Sequence, residues 1–140
     1  MKIPVFLTNT SSTFALLPLR LGLGISMIYH GSKKLFGWFG GNGLEASTAF
    51  FAKQGLEPAL QLVLLAGGAQ VVGGIAFILG FATRFWGAVI AFTMGVAVYT
   101  VHDWQSWGDS EKPMLILLGS LTLMLAGAGR LSVDYNSQKV

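Results

Sequence analysis

Cysteine is absent from the sequence. Its absence excludes disulfides, thiolate-ligated iron–sulfur clusters, covalently attached haem and a dithiol redox pair. Electron transfer through this chain would need a non-covalent cofactor or a bound carrier. Charge is scarce too: 11% of the 140 residues are Asp, Glu, Lys or Arg, against about 25% in a soluble domain. That deficit points to lipid as the main solvent. The formal charge of +3 bears on membrane topology and not on nucleic-acid binding. There are two histidines and six scattered carboxylates, with none of the tight spacing that zinc requires. A haem held between His30 and His102 would need the two to face each other, which nothing in the sequence indicates. The glycines form neither a P-loop nor a dinucleotide fingerprint between a strand and a helix.

What is present is apolar. Hydrophobic residues make up 53% of the chain and the mean hydropathy is +0.63. Nineteen glycines suit membrane helices, which approach closely through small residues. The N-terminal "MKIPVFL" is too short for a signal h-region and is interrupted by "TNTSST", so the first long apolar stretch reads as a permanent span. The apolar segments are about 14–35, 59–82, 85–101 and 113–128, near the length of roughly 17–25 residues that crosses a bilayer. The fourth is short and gains length from residues 110–112. Long unbroken runs without period-two alternation argue against strands. The predicted fold is one all-α domain, a four-transmembrane-helix bundle. A Gly/aromatic interfacial loop joins helices 1 and 2, with Phe36, Trp38 and Phe39 suited to the headgroup belt. Residues 44–54 within that loop read as a short interfacial helix.

Four crossings put both termini on one side, with Lys2, Arg20, Arg84, Arg130 and Lys139. Lys33, Lys34, Lys53 and Lys112 lie on the other. The excess of basic residues predicts N-in and C-in.

Several polar residues sit where polarity is expensive. His30 falls about 8 Å inside the end of the first span at 1.5 Å per residue. An ionisable residue there is a functional candidate by default; a neutral imidazole bonded to a carbonyl is the plainer reading. Topology gathers His30, Lys33, Lys34, His102, Asp103 and Glu111 on one membrane face, and Tyr99 shares a helical side with His102. Loop charges gather there in any case, and Glu111 would also favour the start of helix four. Arg20, near the opposite end of span one, either snorkels to headgroups or pairs with a carboxylate or a ligand carbonyl. Gln70 is the strong hydrogen-bonding side chain near the middle of span two. It shares a face with Gly67 and Gly74, which suits close helix packing with one polar tie, or a glutamine that faces a ligand.

The stretches "LRLGLGISMIYHGSKKLFGWFGGNGL", "GGAQVVGGIAFILGFATRFWGAVIA", "TVHDW" and "EKPMLILLGSLTLMLAGAGRLSVD" resemble the DoxX family of small four-helix membrane proteins. The resemblance runs from about Pro18 to Asp134. It falls on Arg20, His30, Lys34, Gly40, Gly41, Arg84, His102, Glu111, Arg130 and Asp134. Family members often carry Glu where this chain has Gln70, so a role that needs that carboxylate is missing here. The family takes its name from a membrane subunit linked to thiosulfate:quinone oxidoreductase and to a terminal quinol oxidase. The resemblance therefore implies a bacterial or archaeal plasma membrane and speaks more to fold than to reaction.

Two functions follow as expectations. In the first, the chain is the membrane subunit of a quinone-linked oxidoreductase whose redox centre sits on a partner. His30, His102 and Glu111 would handle protons, and Arg20, His30, Lys34, Trp38, Gln70 and Tyr99 would line the quinone headgroup pocket. In the second, it is a non-catalytic scaffold or accessory subunit that docks or stabilises a larger membrane complex. A transporter is disfavoured, because four spans show no inverted repeat and no broken helix.

Overall fold

A computed structural model describes residues 4–101 and 106–139. His102, on which one expectation rests, lies outside the described residues. The described chain is all-helical: α1 (Val5–Thr8), α2 (Leu16–Phe36), α3 (Gly43–Lys53), α4 (Ala59–Leu79), α5 (Thr83–Thr100), α6 (Trp107–Ala126) and α7 (Val133–Ser137), with a 3₁₀ turn at Trp38–Gly40. Among the described residues there is no strand. The four long helices are those expected. One start differs: α6 begins at Trp107, one and a half turns before Pro113, so the proline is a buried residue inside the helix. Proline reads as a first-turn residue because it lacks an N–H, and here the first turn lies ahead of it.

The bundle is two antiparallel pairs. In the α2–α4 pair the backbones nearly touch. A Cβ on Gly24 would lie 2.7 Å from the Gly74 carbonyl oxygen, and one on Gly31 would lie 2.8 Å from that of Gly67. The glycines of "LGLGIS", "YHGS" and "LAGGAQVVGG" therefore set the register of this pair, as small residues do between membrane helices. The α5–α6 pair closes in the same way, with Gly87 over the Ser120 carbonyl. Leu23, Met27, Phe77, Ile90, Met94 and Leu123 fill the space between the pairs.

All four long helices also carry large apolar side chains outward, among them Ile25, Leu65, Val72, Phe92, Leu118 and Leu125. An outer surface of this kind is unusual for a protein in water. By length and composition, α4 alone among the described helices meets the requirement for a membrane span by itself. The other three carry charges: α2 holds Arg20, Lys33 and Lys34, α5 holds Arg84, and α6 opens on Asp109, Glu111 and Lys112.

The connection after α2 folds back as the glycines suggest. Gly37 ends the helix in the left-handed conformation, a common C-terminal device. Gly41 then passes so close to α2 that a Cβ would lie 2.5 Å from the Lys33 Cα. α3 follows and packs on α2 and α4.

Candidate functional site

Polar side chains collect at the two ends of the bundle and serve different purposes. At the end that holds both termini, Arg20 is 1% exposed. Its guanidinium donates to the Ala128 carbonyl at 2.7 Å and to the Leu131 carbonyl at 2.7 Å. Asp134 is equally buried and accepts from the Ala82 and Thr83 N–H groups at 2.8 and 2.9 Å. Its carboxylate thereby caps the positive end of α5 and holds Ala82 at φ 46°, a left-handed conformation that alanine otherwise avoids. The Arg84 Nε donates to the Asn9 carbonyl at 2.7 Å, and the Arg130 N–H to the Thr13 carbonyl at 2.8 Å. This is a structural latch that ties "GAGRLSVD" to the α4–α5 turn and to the N-terminal segment. Gly80, at φ +66° in that turn, is where a Cβ would run into Ser132 and the Arg20 guanidinium. Arg20 neither snorkels nor faces a cavity.

The opposite end holds a cavity of about 520 Å³ between α3, α4 and α5. Its walls include Phe50 and Phe51 from α3, Leu62 and Ala69 from α4, and Phe92 and Val96 from α5. Leu65 and Phe92, 69% and 74% exposed, place its mouth on the outer side of the bundle. The polar groups are few. Gln70, 2% exposed, accepts a hydrogen bond from the Lys34 Nζ at 2.9 Å, and both residues line the cavity. The hydroxyls of Ser47, Thr93 and Thr100 also line it, but each donates to a backbone carbonyl: Ser47 to Lys34, Thr93 to Val89, Thr100 to Val96. The donors left over among the described residues are two N–H bonds of the Lys34 ammonium and the amide groups of Gln70, whose oxygen is turned to Lys34, and of Asn42, which also lines the cavity.

Of the residues expected in a headgroup pocket, Lys34 and Gln70 meet in the cavity. Four others lie elsewhere. Arg20 is at the far end of α2, roughly 21 Å away along the helix axis. His30 is half-buried one turn before Lys34, with its ring edge-on to Tyr29 at 5.4 Å, and does not line the cavity. Trp38 is 57% exposed and Tyr99 81% exposed. Trp38 stacks on Phe36 at 4.8 Å on the outer side of α2. Glu111 is exposed on the first turns of α6. The aromatic cover comes from Phe50 and Phe51 instead. Their place in the "AFF" run of an amphipathic helix was the available signal, but Phe36, Trp38 and Phe39 are nearer the histidine in the sequence.

The sequence profile of DoxX matches residues 15–103, which takes in the glycine seam, Lys34, Gln70 and the cavity walls. The chain belongs to the DoxX family. A relative from Bacillus subtilis (strain 168), named "Putative oxidoreductase CatD", is 32% identical over 127 residues, covering 90% of this chain and 89% of its own. A second, "Inner membrane protein YphA" of Escherichia coli (strain K12), is 28% identical over 128 residues, covering 85% of this chain and 87% of its own. No solved structure matches the chain. This DoxX protein is accordingly a membrane protein.

Proposed function

We propose that this DoxX protein is the membrane subunit of a quinone-linked oxidoreductase, and that the quinone ring seats in the cavity with a carbonyl toward Lys34 and Gln70. The observation that carries this reading is a charged donor hydrogen-bonded to an amide, Lys34 on Gln70, in a cavity whose walls are mostly apolar and aromatic. Ligand sites for small molecules are built this way, in volumes of roughly 300–1,000 Å³. The residues fit the group: Lys34 and Gln70 donate to a ring carbonyl, Phe50 and Phe51 cover the ring, and the mouth between Leu65 and Phe92 lets an isoprenoid tail remain in the bilayer. A bound quinone supplies a two-electron, two-proton couple, and the electrons come from a redox centre on a partner protein. This chain binds and orients the ring and keeps bulk water from it. His30 lies one turn before Lys34 and does not touch the ring.

The same reading has all four long helices crossing the bilayer, with both termini on the cytoplasmic side. The outward apolar side chains of α2, α5 and α6 support four crossings. Five basic residues on the termini side against four on the other support the orientation.

The test is a titration of the protein in phosphatidylcholine nanodiscs with a short-chain quinone, paired with mild-detergent purification from native membranes. Saturable binding that weakens at least about tenfold in Gln70→Leu, a loss expected for a buried hydrogen bond, supports the seat. A flavin, haem or iron–sulfur protein in stoichiometric yield identifies the partner. No saturable binding, together with a redox-inert set of companions, favours the accessory-subunit reading instead, in which the exposed Tyr99 and Trp107 side chains serve docking.

A further inference from the structure

Lys34 has a neutral partner. Its Nζ donates to the Gln70 amide oxygen, and no carboxylate lines the cavity among the described residues. An amide dipole offsets only part of an ammonium charge, and an unpaired cation beside apolar walls is expensive. The surroundings add to the positive field. Lys33, Lys34 and Lys112 all lie within electrostatic reach of His30, and Lys33 is turned away to the Tyr29 ring at 5.0 Å. Glu111, next to Lys112, is exposed to the outside. The cavity therefore presents an apolar, aromatic-walled space with one cation at its end and two of that cation's three N–H bonds unused. A neutral ring carbonyl fills the hydrogen bonds and leaves the charge. A ring that carries an ionised oxygen fills both.

We propose that the cavity selects lipophilic rings with an ionised ring oxygen over neutral rings of the same shape, with Lys34 as the specificity-determining residue. This rests on the quinone seat proposed above and names the ionic form that the seat holds best. The pair is charge-assisted and sits in a low-dielectric site, where such hydrogen bonds are strongest. The choice of a ring over an acyl chain follows from Phe50, Phe51 and Phe92 on the walls.

The experiment uses two probes: an alkylated hydroxynaphthoquinone, ionised at neutral pH, and its methyl ether, which stays neutral. Both are titrated against the full chain in nanodiscs of neutral phosphatidylcholine, with binding followed by the naphthoquinone absorption band. The wild type is expected to bind the ionised probe at least about tenfold more tightly than the ether, as a charge-assisted hydrogen bond allows. Lys34→Gln should weaken both probes and the ionised one at least about tenfold more, which removes the preference, and an unchanged thermal unfolding curve in detergent shows the variant to be folded. Gln70→Glu is the independent variant. It supplies Lys34 with an internal carboxylate, so it should also bring the two affinities together, mainly by weakening the ionised probe. Palmitate is the competitor, and it should displace the ionised probe poorly. If both probes bind the wild type equally, the seat stands and the preference is overturned. If palmitate competes as well as the ring acid, selection for a ring is overturned. If neither probe binds, the quinone seat itself fails and takes this inference with it.

Discussion

At the scale of single residues, two cations on the same helix, Arg20 buried and Lys34 partly buried, have opposite uses. Arg20 turns both terminal guanidinium nitrogens to backbone carbonyls of the chain's own C-terminal turn, while its buried Nε has no acceptor among the described residues. Lys34 meets a side-chain amide and keeps donors free. The difference predicts different phenotypes. Lys34→Met should weaken quinone binding at least about tenfold, whereas His30→Ala should change it by less than about threefold, because only the former loses a charged donor at the cavity. A binding isotherm for each variant decides this, and an equal loss in both would return the histidine to the ring. Asp134→Ala should instead destabilise the fold by about 3 kcal/mol, the usual order for removing one partner from a buried charged network, with quinone affinity per folded molecule unchanged. Thermal unfolding in detergent measures the first and titration of the folded fraction the second. The sequence pointed to Lys34, Gln70 and Arg20 because each is a polar side chain within an apolar run. It did not reveal the acceptors of Arg20, since every residue has a carbonyl and a carbonyl leaves no mark in a sequence. Nor did it reveal that His30 lies off the cavity, because that depends on the rotation of α2 about its axis.

At the scale of elements, the glycine seam makes the site. Lys34 and Gln70 are 36 residues apart, and they meet because Gly24 with Gly74 and Gly31 with Gly67 fix how α2 slides along α4. Two alanine substitutions on the same helix separate packing from helix propensity. Gly74→Ala places a methyl 2.6 Å from the Gly24 carbonyl oxygen, while Gly68→Ala meets nothing within 4 Å. The first should destabilise by about 1–3 kcal/mol, the range for overpacking a tight contact, and should weaken quinone binding by misaligning Lys34. The second should be neutral or stabilising by up to about 1 kcal/mol, the helix preference for Ala over Gly. Equal stability of the two variants would mean that the helices do not close on these glycines. The four long helices were legible because apolar length is a strong signal. The start of α6 was not, because Pro113 reads as a first-turn residue and the polar "WGDSEK" before it carries no apolar period. α3 was legible as an amphipathic segment, but its role as the cover of a cavity belongs to the way it packs on α2 and α4.

At the scale of the whole molecule, the fold is a bundle latched at one end and open at the other. The latch uses the N-terminal segment, the α4–α5 turn and the C-terminal helix. The open end carries the cavity, and its mouth lies on the outer side of the bundle, beside Leu65 and Phe92. The absence of cysteine makes the topology simple to test, since any introduced cysteine is the sole thiol. Gln54→Cys and Asn136→Cys, both exposed, should react with an impermeant maleimide from opposite sides of the membrane. Reaction of both from one side would rule out four crossings. Occupancy of the α3–α4–α5 cavity by a quinone ring can be read by photolabelling with an azido-quinone followed by peptide mapping. A ring seated there gives adducts on α3 near Phe50 and Phe51 and on α5 near Phe92, suppressed by excess unlabelled quinone and reduced in Gln70→Leu. Adducts confined to the outer surface around Trp38 and Tyr99, or spread over all four helices and indifferent to competitor, would contradict it.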